Sequence, residues 1–148
     1  MLYFPKILRQ VPLQKIYKMQ QQNQNKEFIL SYFSALHNDG KSKEVLDKYI
    51  ADEALIGHIN FFEPVFPGFE VIADEMTAED NKVVVKARFK GTHKGDFNGI
   101  APTHRTIEVP FAISYEIENE KIVHHWMIID RMTMMEQLGV ISVEEAAH

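Results

Sequence analysis

Lys82-Val83-Val84-Val85-Lys86-Ala87-Arg88-Phe89-Lys90-Gly91-Thr92-His93 is the stretch on which the fold turns. In an extended chain Val83, Val85, Ala87, Phe89 and His93 fall on one face, while Lys82, Lys86, Arg88 and Lys90 fall on the other. Such alternation marks an antiparallel sheet with one buried and one wet side. Moving outward, residues 69–76 read as the preceding strand, joined through the polar stretch Ala78-Glu79-Asp80-Asn81. Residues 105–116 read as a third strand, which Glu118-Asn119-Glu120-Lys121 turns into a fourth at 122–130.

Ahead of these strands the period is helical. From Lys26, the residues Phe28, Ile29, Tyr32, Phe33 and Leu36 recur at three- and four-residue steps and end at Gly40. Ser42 can cap a second short helix carrying Val45, Leu46 and Tyr49. Residues 52–59 read as irregular and lead to the turn Phe66-Pro67-Gly68. A last short helix holds Met134, Met135 and Leu138 and stops at Gly139. Helices first and a meandering sheet afterwards predict an α+β domain.

The chain has 148 residues, 45% of them hydrophobic and 25% charged, the balance of one globular domain. That domain is assigned to residues 23–140, between a basic extension at 1–22 and a short tail at 141–148. The extension carries Lys6, Arg9, Lys15 and Lys18 without an acid. Pro5, Arg9, Gln10 and Pro12 interrupt any run that could serve as a secretory signal, and Met19 is an alternative first residue. A net charge of −5 argues against nucleic acid as a partner. There is no cysteine, so disulfides, thiol nucleophiles and Cys-based metal sites are excluded. No apolar run approaches the roughly 20 residues that span a bilayer, so no membrane partner is expected. A cytoplasmic location is the expectation.

Within the last strand, strict alternation puts Ile122, His124, Trp126, Ile128 and Asp130 on one side, with His125, Met127 and Ile129 on the other. A carboxylate sharing a face with Trp126 and Ile128 would be desolvated, which raises its pKa and suits it to proton transfer. The alternative is that Asp130 lies solvated at the strand end and caps the helix that begins near Thr133. His93 either meets a ligand or is a satisfied structural histidine, and His58 faces either the same hollow or solvent. His124 and His125 diverge to opposite faces and cannot chelate one ion together; no metal site is assigned. No glycine-rich loop joins a strand to a helix, and no serine has the Gly-x-Ser-x-Gly context of an esterase nucleophile.

The run Gly91-Thr92-His93-Lys94-Gly95-Asp96-Phe97-Asn98-Gly99-Ile100-Ala101-Pro102-Thr103-His104-Arg105 resembles the G-T-H-x-G-x-F-x-G-I-x-P-T-G-[KR] signature of SnoaL-like polyketide cyclases. The closing pattern is similar as well: Lys121-Ile122-Val123, then Trp126 and Asp130 as W-x-x-x-D, then Gln137-Leu138-Gly139. The likeness covers roughly residues 26–139. It implies a cone-shaped, strongly curved antiparallel sheet wrapped on N-terminal helices, the nuclear transport factor 2-like architecture, usually as a homodimer. It also implies acid/base ring closure by a pocket aspartate without metal or organic cofactor, and the matching residue is Asp130. On that footing Asp130, His93 and His58 are the expected catalytic residues. Trp126, His124, Phe89, His104 and Tyr32 are the expected contacts to an apolar small-molecule ligand.

Two departures stand out. His104 occupies the motif's glycine position, and only a few residues separate His58 from Phe66, where the family places a helix over the pocket. A more open mouth, or one partly covered by residues 1–22, is therefore expected. His125, Met127, Ile129, Val109 and Phe111 give strand faces a second apolar side, which predicts a symmetric homodimer through sheet faces. The expected function is a cyclase- or isomerase-type enzyme acting on a small carbonyl compound. A non-catalytic binding domain is the alternative. An epoxide-type hydrolase is a third reading, which would need an arginine such as Arg88 or Arg105 in the pocket.

Overall fold

The computed structural model of the chain describes residues 10–142. Three helices, α1 (Leu13–Asn38), α2 (Lys43–Tyr49) and α3 (Glu53–Val65), precede four strands, β1 (Glu70–Glu79), β2 (Lys82–Thr92), β3 (Thr106–Glu118) and β4 (Lys121–Ile129). A short α4 (Arg131–Gln137) closes the order. The strands form one antiparallel sheet in the order β1-β2-β3-β4, so the predicted α+β meander is the fold observed. One face of the sheet packs against the helices, and the core gathers Ile29, Tyr32 and Leu36 of α1 with Val83, Val85, Phe89, Val109, Ile113 and Tyr115. Two register shifts, at Ala73/Glu75 and Glu116/Ile117, interrupt the regular pairing of the sheet.

The alternation of β2 is as expected. Val83, Val85, Ala87 and Phe89 are buried, while Lys82, Lys86 and Lys90 are exposed. Arg88 points outward, where it pairs with Asp74 and Glu108 of the neighbouring strands.

Two expectations are corrected. First, α1 begins at Leu13, so the second half of the supposed extension is continuous with the first helix, and Ile16 is buried. None of residues 13–22 lines the cavity or the groove described below. Residues 1–9 and 143–148, the rest of the extension and most of the tail, lie outside the described residues.

Second, residues 52–59 are not irregular. Asp52 is the N-cap of α3, its Oδ1 accepting from the amides of Ala54 and Leu55. Gly57, Pro64 and the β-branched and aromatic residues of this segment have low intrinsic helix propensity, which hides the helix. Packing overrides that preference, because Leu55, Ile59 and Val65 form a buried stripe. Helix α3 contains His58 and contributes Leu55, His58, Ile59 and Phe62 to the wall of the cavity described below.

The Gly91–Arg105 run is a clamp on the C-terminus of α3. Lys94 N–H and Gly95 N–H both donate to the Val65 carbonyl, at 2.9 and 3.1 Å. Gly95 lies so close to the helix that a Cβ there would be 2.3 Å from the Pro64 carbonyl oxygen. Phe97 and Ile100 exchange two backbone hydrogen bonds around Asn98-Gly99, both with positive φ, and Phe97 packs against Phe61, Phe62 and Phe66. His104 has φ +59°. The left-handed backbone explains why the motif carries glycine there, since a side chain pays a steric cost in that region.

Candidate functional site

A bulge decides which side of β4 faces inward. Ile117 pairs with Ile122, yet Glu116, one residue earlier, pairs with His124. Val123 is thus the extra residue, and because strand side chains alternate, one extra residue reverses every facing beyond it. Ile122 is buried, and beyond the bulge His125, Met127 and Ile129 turn inward while His124, Trp126 and Ile128 turn out. The assignment made from strict alternation is inverted.

Asp130 follows this reversal. It is exposed and caps α4, with Oδ1 accepting from Thr133 N–H at 3.0 Å and Oδ2 from Thr133 Oγ1 at 2.7 Å. The Thr133 side-chain and backbone hydrogen bonds hold its carboxyl below the usual carboxylate range. It lines neither the cavity nor the groove. The expected desolvated, pocket-facing acid is therefore absent from this position, and the capping alternative describes it.

The other expected residues divide. His93 is fully buried, but it serves the motif: Nδ1 accepts from Thr103 N–H at 3.1 Å and meets Thr103 Oγ1 at 3.0 Å. Accepting an amide at Nδ1 puts the ring proton on Nε2, which is buried without a partner. His93 lines no part of the site, and neither does His104 or His124, both exposed. Trp126, 47% exposed, lines the groove but not the cavity. Tyr32, Phe89 and His58 are where they were expected, lining a cavity. Arg88 and Arg105 do not line it.

That cavity has a volume of about 60 Å³ and lies between the inner face of the sheet and α1 and α3. Its wall is apolar apart from His58, Tyr32 and Tyr115. Burial raises the pKa of both phenols, so Tyr32 and Tyr115 stay neutral and keep their O–H donors. Beside the cavity is an open groove of about 840 Å³ between α3, β4 and α4. His58, Phe62, Met127 and Ile129 border both spaces.

The least expected feature sits at this shared border. At the bulge the Ile122 carbonyl accepts Ala51 N–H at 2.9 Å and Asp52 N–H at 3.0 Å. Residues 50–52 are thereby tied beside β4, and Asp52 Oδ2 meets His125 Nδ1 at 2.7 Å. Both side chains are nearly enclosed, 10% and 7% exposed. Burial alone would raise the Asp52 pKa. The hydrogen bonds from His125, Leu55 and Ala54 outweigh it and hold the carboxyl below its ordinary value. The His125 ring stands edge-on to His58, centroids 5.5 Å apart at 85°, and both line the groove. An Asp52 cap was readable from the acid placed before an amphipathic run. Its contact with a histidine 73 residues away was not.

Residues 21–138 match the family model described as SnoaL-like polyketide cyclase. Among solved structures, AclR from Streptomyces galilaeus, assigned as a candidate hydroxylase, is 17% identical with a TM-score of 0.70, covering 81% of this chain and 98% of its own. IdmH from Streptomyces antibioticus, a candidate polyketide cyclase, is 24% identical with a TM-score of 0.67 over 78% and 99%. A SnoaL-like polyketide cyclase from Jannaschia sp. CCS1 is 21% identical with a TM-score of 0.66 over 81% and 94%. These likenesses establish the shared fold. None of the curated proteins compared matches the chain. Among the described residues no helix is long and apolar enough to cross a membrane.

Proposed function

We propose, from the premise that this chain belongs to the SnoaL-like polyketide cyclase family, that it is a cofactor-independent enzyme of the cyclase or isomerase type acting on a small carbonyl compound. The observation that carries this reading is the apolar cavity bordered by a single imidazole, His58, where it opens into the groove. Removing a proton from a carbon next to a carbonyl gives an enolate. In a ring closure the enolate carbon attacks a second carbonyl, and the resulting alkoxide takes up a proton. A shaped cavity supplies positioning, and a proton acceptor and a hydrogen-bond donor supply the rest. The neutral phenols of Tyr32 and Tyr115 are donors on the cavity wall. A volume of about 60 Å³ suits the reacting end of a small molecule, with the remainder in the groove.

Proton abstraction can be followed without knowing the natural substrate. In deuterium oxide, the full chain should speed exchange of the C2 protons of ethyl acetoacetate, read by proton NMR against buffer and heat-denatured protein. Compounds that bind, as seen by shifts in the protein spectrum, without faster exchange of any 1,3-dicarbonyl tried would make this a non-catalytic binding domain.

The homodimer stays part of the proposal, with its faces exchanged. His125, Met127, Ile129, Val109 and Phe111 lie on the inner side, so they cannot form the contact. The outer face instead presents Val84, Trp126 and Ile128, 39%, 47% and 70% exposed, in one cross-strand neighbourhood. Light scattering should give twice the 17.2 kDa chain mass, and Ile128→Lys should shift the protein toward monomer. A wild-type monomer at micromolar concentration would count directly against it.

A further inference from the structure

We infer that His125, oriented by Asp52, is the proton-transferring group of this site, with His58, whose ring abuts it edge-on, as the donor beside it. The inference rests on the acid/base reading above and names the residues that carry it out.

Three observations converge. The Nδ1–H of His125 is committed to Asp52 Oδ2 at 2.7 Å, which leaves the lone pair of the neutral ring on Nε2. Asp52 is itself fixed: its Oδ1 accepts two helix amides, and its backbone N–H is tied to Ile122. These bonds orient the carboxylate toward His125, and it favours the Nδ1–H tautomer of the imidazole. Finally, His125 lines the groove next to Met127 and Ile129, residues that also wall the apolar cavity. No other histidine–carboxylate pair among the described residues is so enclosed; the contact of His37 with Glu70 is 3.9 Å long and largely exposed.

In the step assigned to this pair, Nε2 of His125 takes the proton from the substrate carbon. The C–H bond breaks, an N–H bond forms, and the electron pair moves onto the carbonyl oxygen of the resulting enolate. The new imidazolium faces the Asp52 carboxylate, which stabilises its charge. A ring N–H of His58 donates to the enolate oxygen. Return of a solvent-exchanged proton from His125 to carbon restores a neutral histidine and a labelled substrate. A 1,3-dicarbonyl or similarly acidic C–H compound is the substrate class that a neutral imidazole base can serve.

The test uses the full chain with ethyl acetoacetate exchange as the rate measurement and histidine nitrogen NMR as a second readout. His125→Gln and Asp52→Asn should each slow exchange by about 100-fold or more, while Asp130→Asn should stay within about twofold of wild type. Asn is as good an N-cap as Asp, so Asp52→Asn keeps α3 intact even if His125→Gln fails to fold. In the wild type, NMR should show His125 protonated at Nδ1, with that proton shifted downfield by its bond to Asp52. Asp52→Asn should remove the downfield signal. Exchange that survives both His125→Gln and Asp52→Asn, or that is abolished by Asp130→Asn, overturns this assignment and leaves the acid/base reading intact. A wild-type chain that shows the Nδ1 signature but no exchange overturns the assignment and the acid/base reading together.

Discussion

Gly95→Ala is expected to lower stability by about 3 kcal/mol, a loss of roughly 10 °C in Tm for a chain of this length. An added Cβ would meet the Pro64 carbonyl oxygen at 2.3 Å, the Pro64 carbonyl carbon at 3.0 Å and Val65 Cα at 3.1 Å. All three are backbone atoms at the end of α3, so no side-chain rotation relieves the contact. Separating the two segments would also stretch the hydrogen bonds from Lys94 and Gly95 to Val65. Gly57, within α3, provides the contrast, because nothing lies within 4 Å of a Cβ there. Gly57→Ala should gain about 0.5–1 kcal/mol from helix propensity. Thermal unfolding of the two variants beside wild type checks both signs. Equal Tm values for Gly95→Ala and wild type would mean that the clamp on α3 does not have this geometry.

The second large effect concerns Asp52. Asp52→Ala removes an N-cap, worth about 1 kcal/mol, and strips an enclosed histidine of its hydrogen-bond partner, worth about 1–3 kcal/mol more. A total of about 2–4 kcal/mol is expected by denaturant unfolding at neutral pH. Asp52→Asn, which still caps, should lose only part of it. The pH dependence follows from the direction of the shift. A carboxyl held below its ordinary pKa stabilises the fold at pH values above the unfolded value of about 3.9. That contribution is lost as pH falls through the lower folded-state value. The stability gap between wild type and Asp52→Asn should therefore be full near neutrality and close on acidification. A gap that stays constant into strong acid would show that the Asp52 charge contributes nothing to the fold.

These two positions hold opposite ends of α3, Asp52 at its N-terminus and Gly95 at its C-terminus. The signature run 91–105, although it carries the resemblance to the family, is architectural: His93 bonds Thr103, Gly95 abuts Pro64, and Phe97 covers α3. Of that run only Phe97 and Asn98 line the groove; the other polar groups of the cavity and groove, Tyr32, His58, Tyr115, His125 and Arg131, come from the helices, β3 and the inner side of β4. A residue of a family motif is thus not for that reason a residue of the site, and His93 is the instance here.

From its one-dimensional pattern the chain determined a good deal by itself. Period-two alternation at 82–93 placed β2 and its inward set, period-3.6 spacing placed the buried face of α1 at Tyr32 and Leu36, and the order of the two periods defined an α+β meander. These features are local, because the side-chain period of a helix or strand needs only the segment's own residues. Two matters were decided only in three dimensions. One is the helix at 53–65, whose weak propensity is outweighed by burial of Leu55, Ile59 and Val65 against the sheet. The other is the facing of β4, where both alternating sets are largely apolar and either could have pointed inward. A single extra residue at Val123 turned His125 toward Asp52 and Asp130 toward water. The bulge is held by hydrogen bonds from Ala51 and Asp52, some seventy residues earlier in the chain. No periodicity within the strand contains that information.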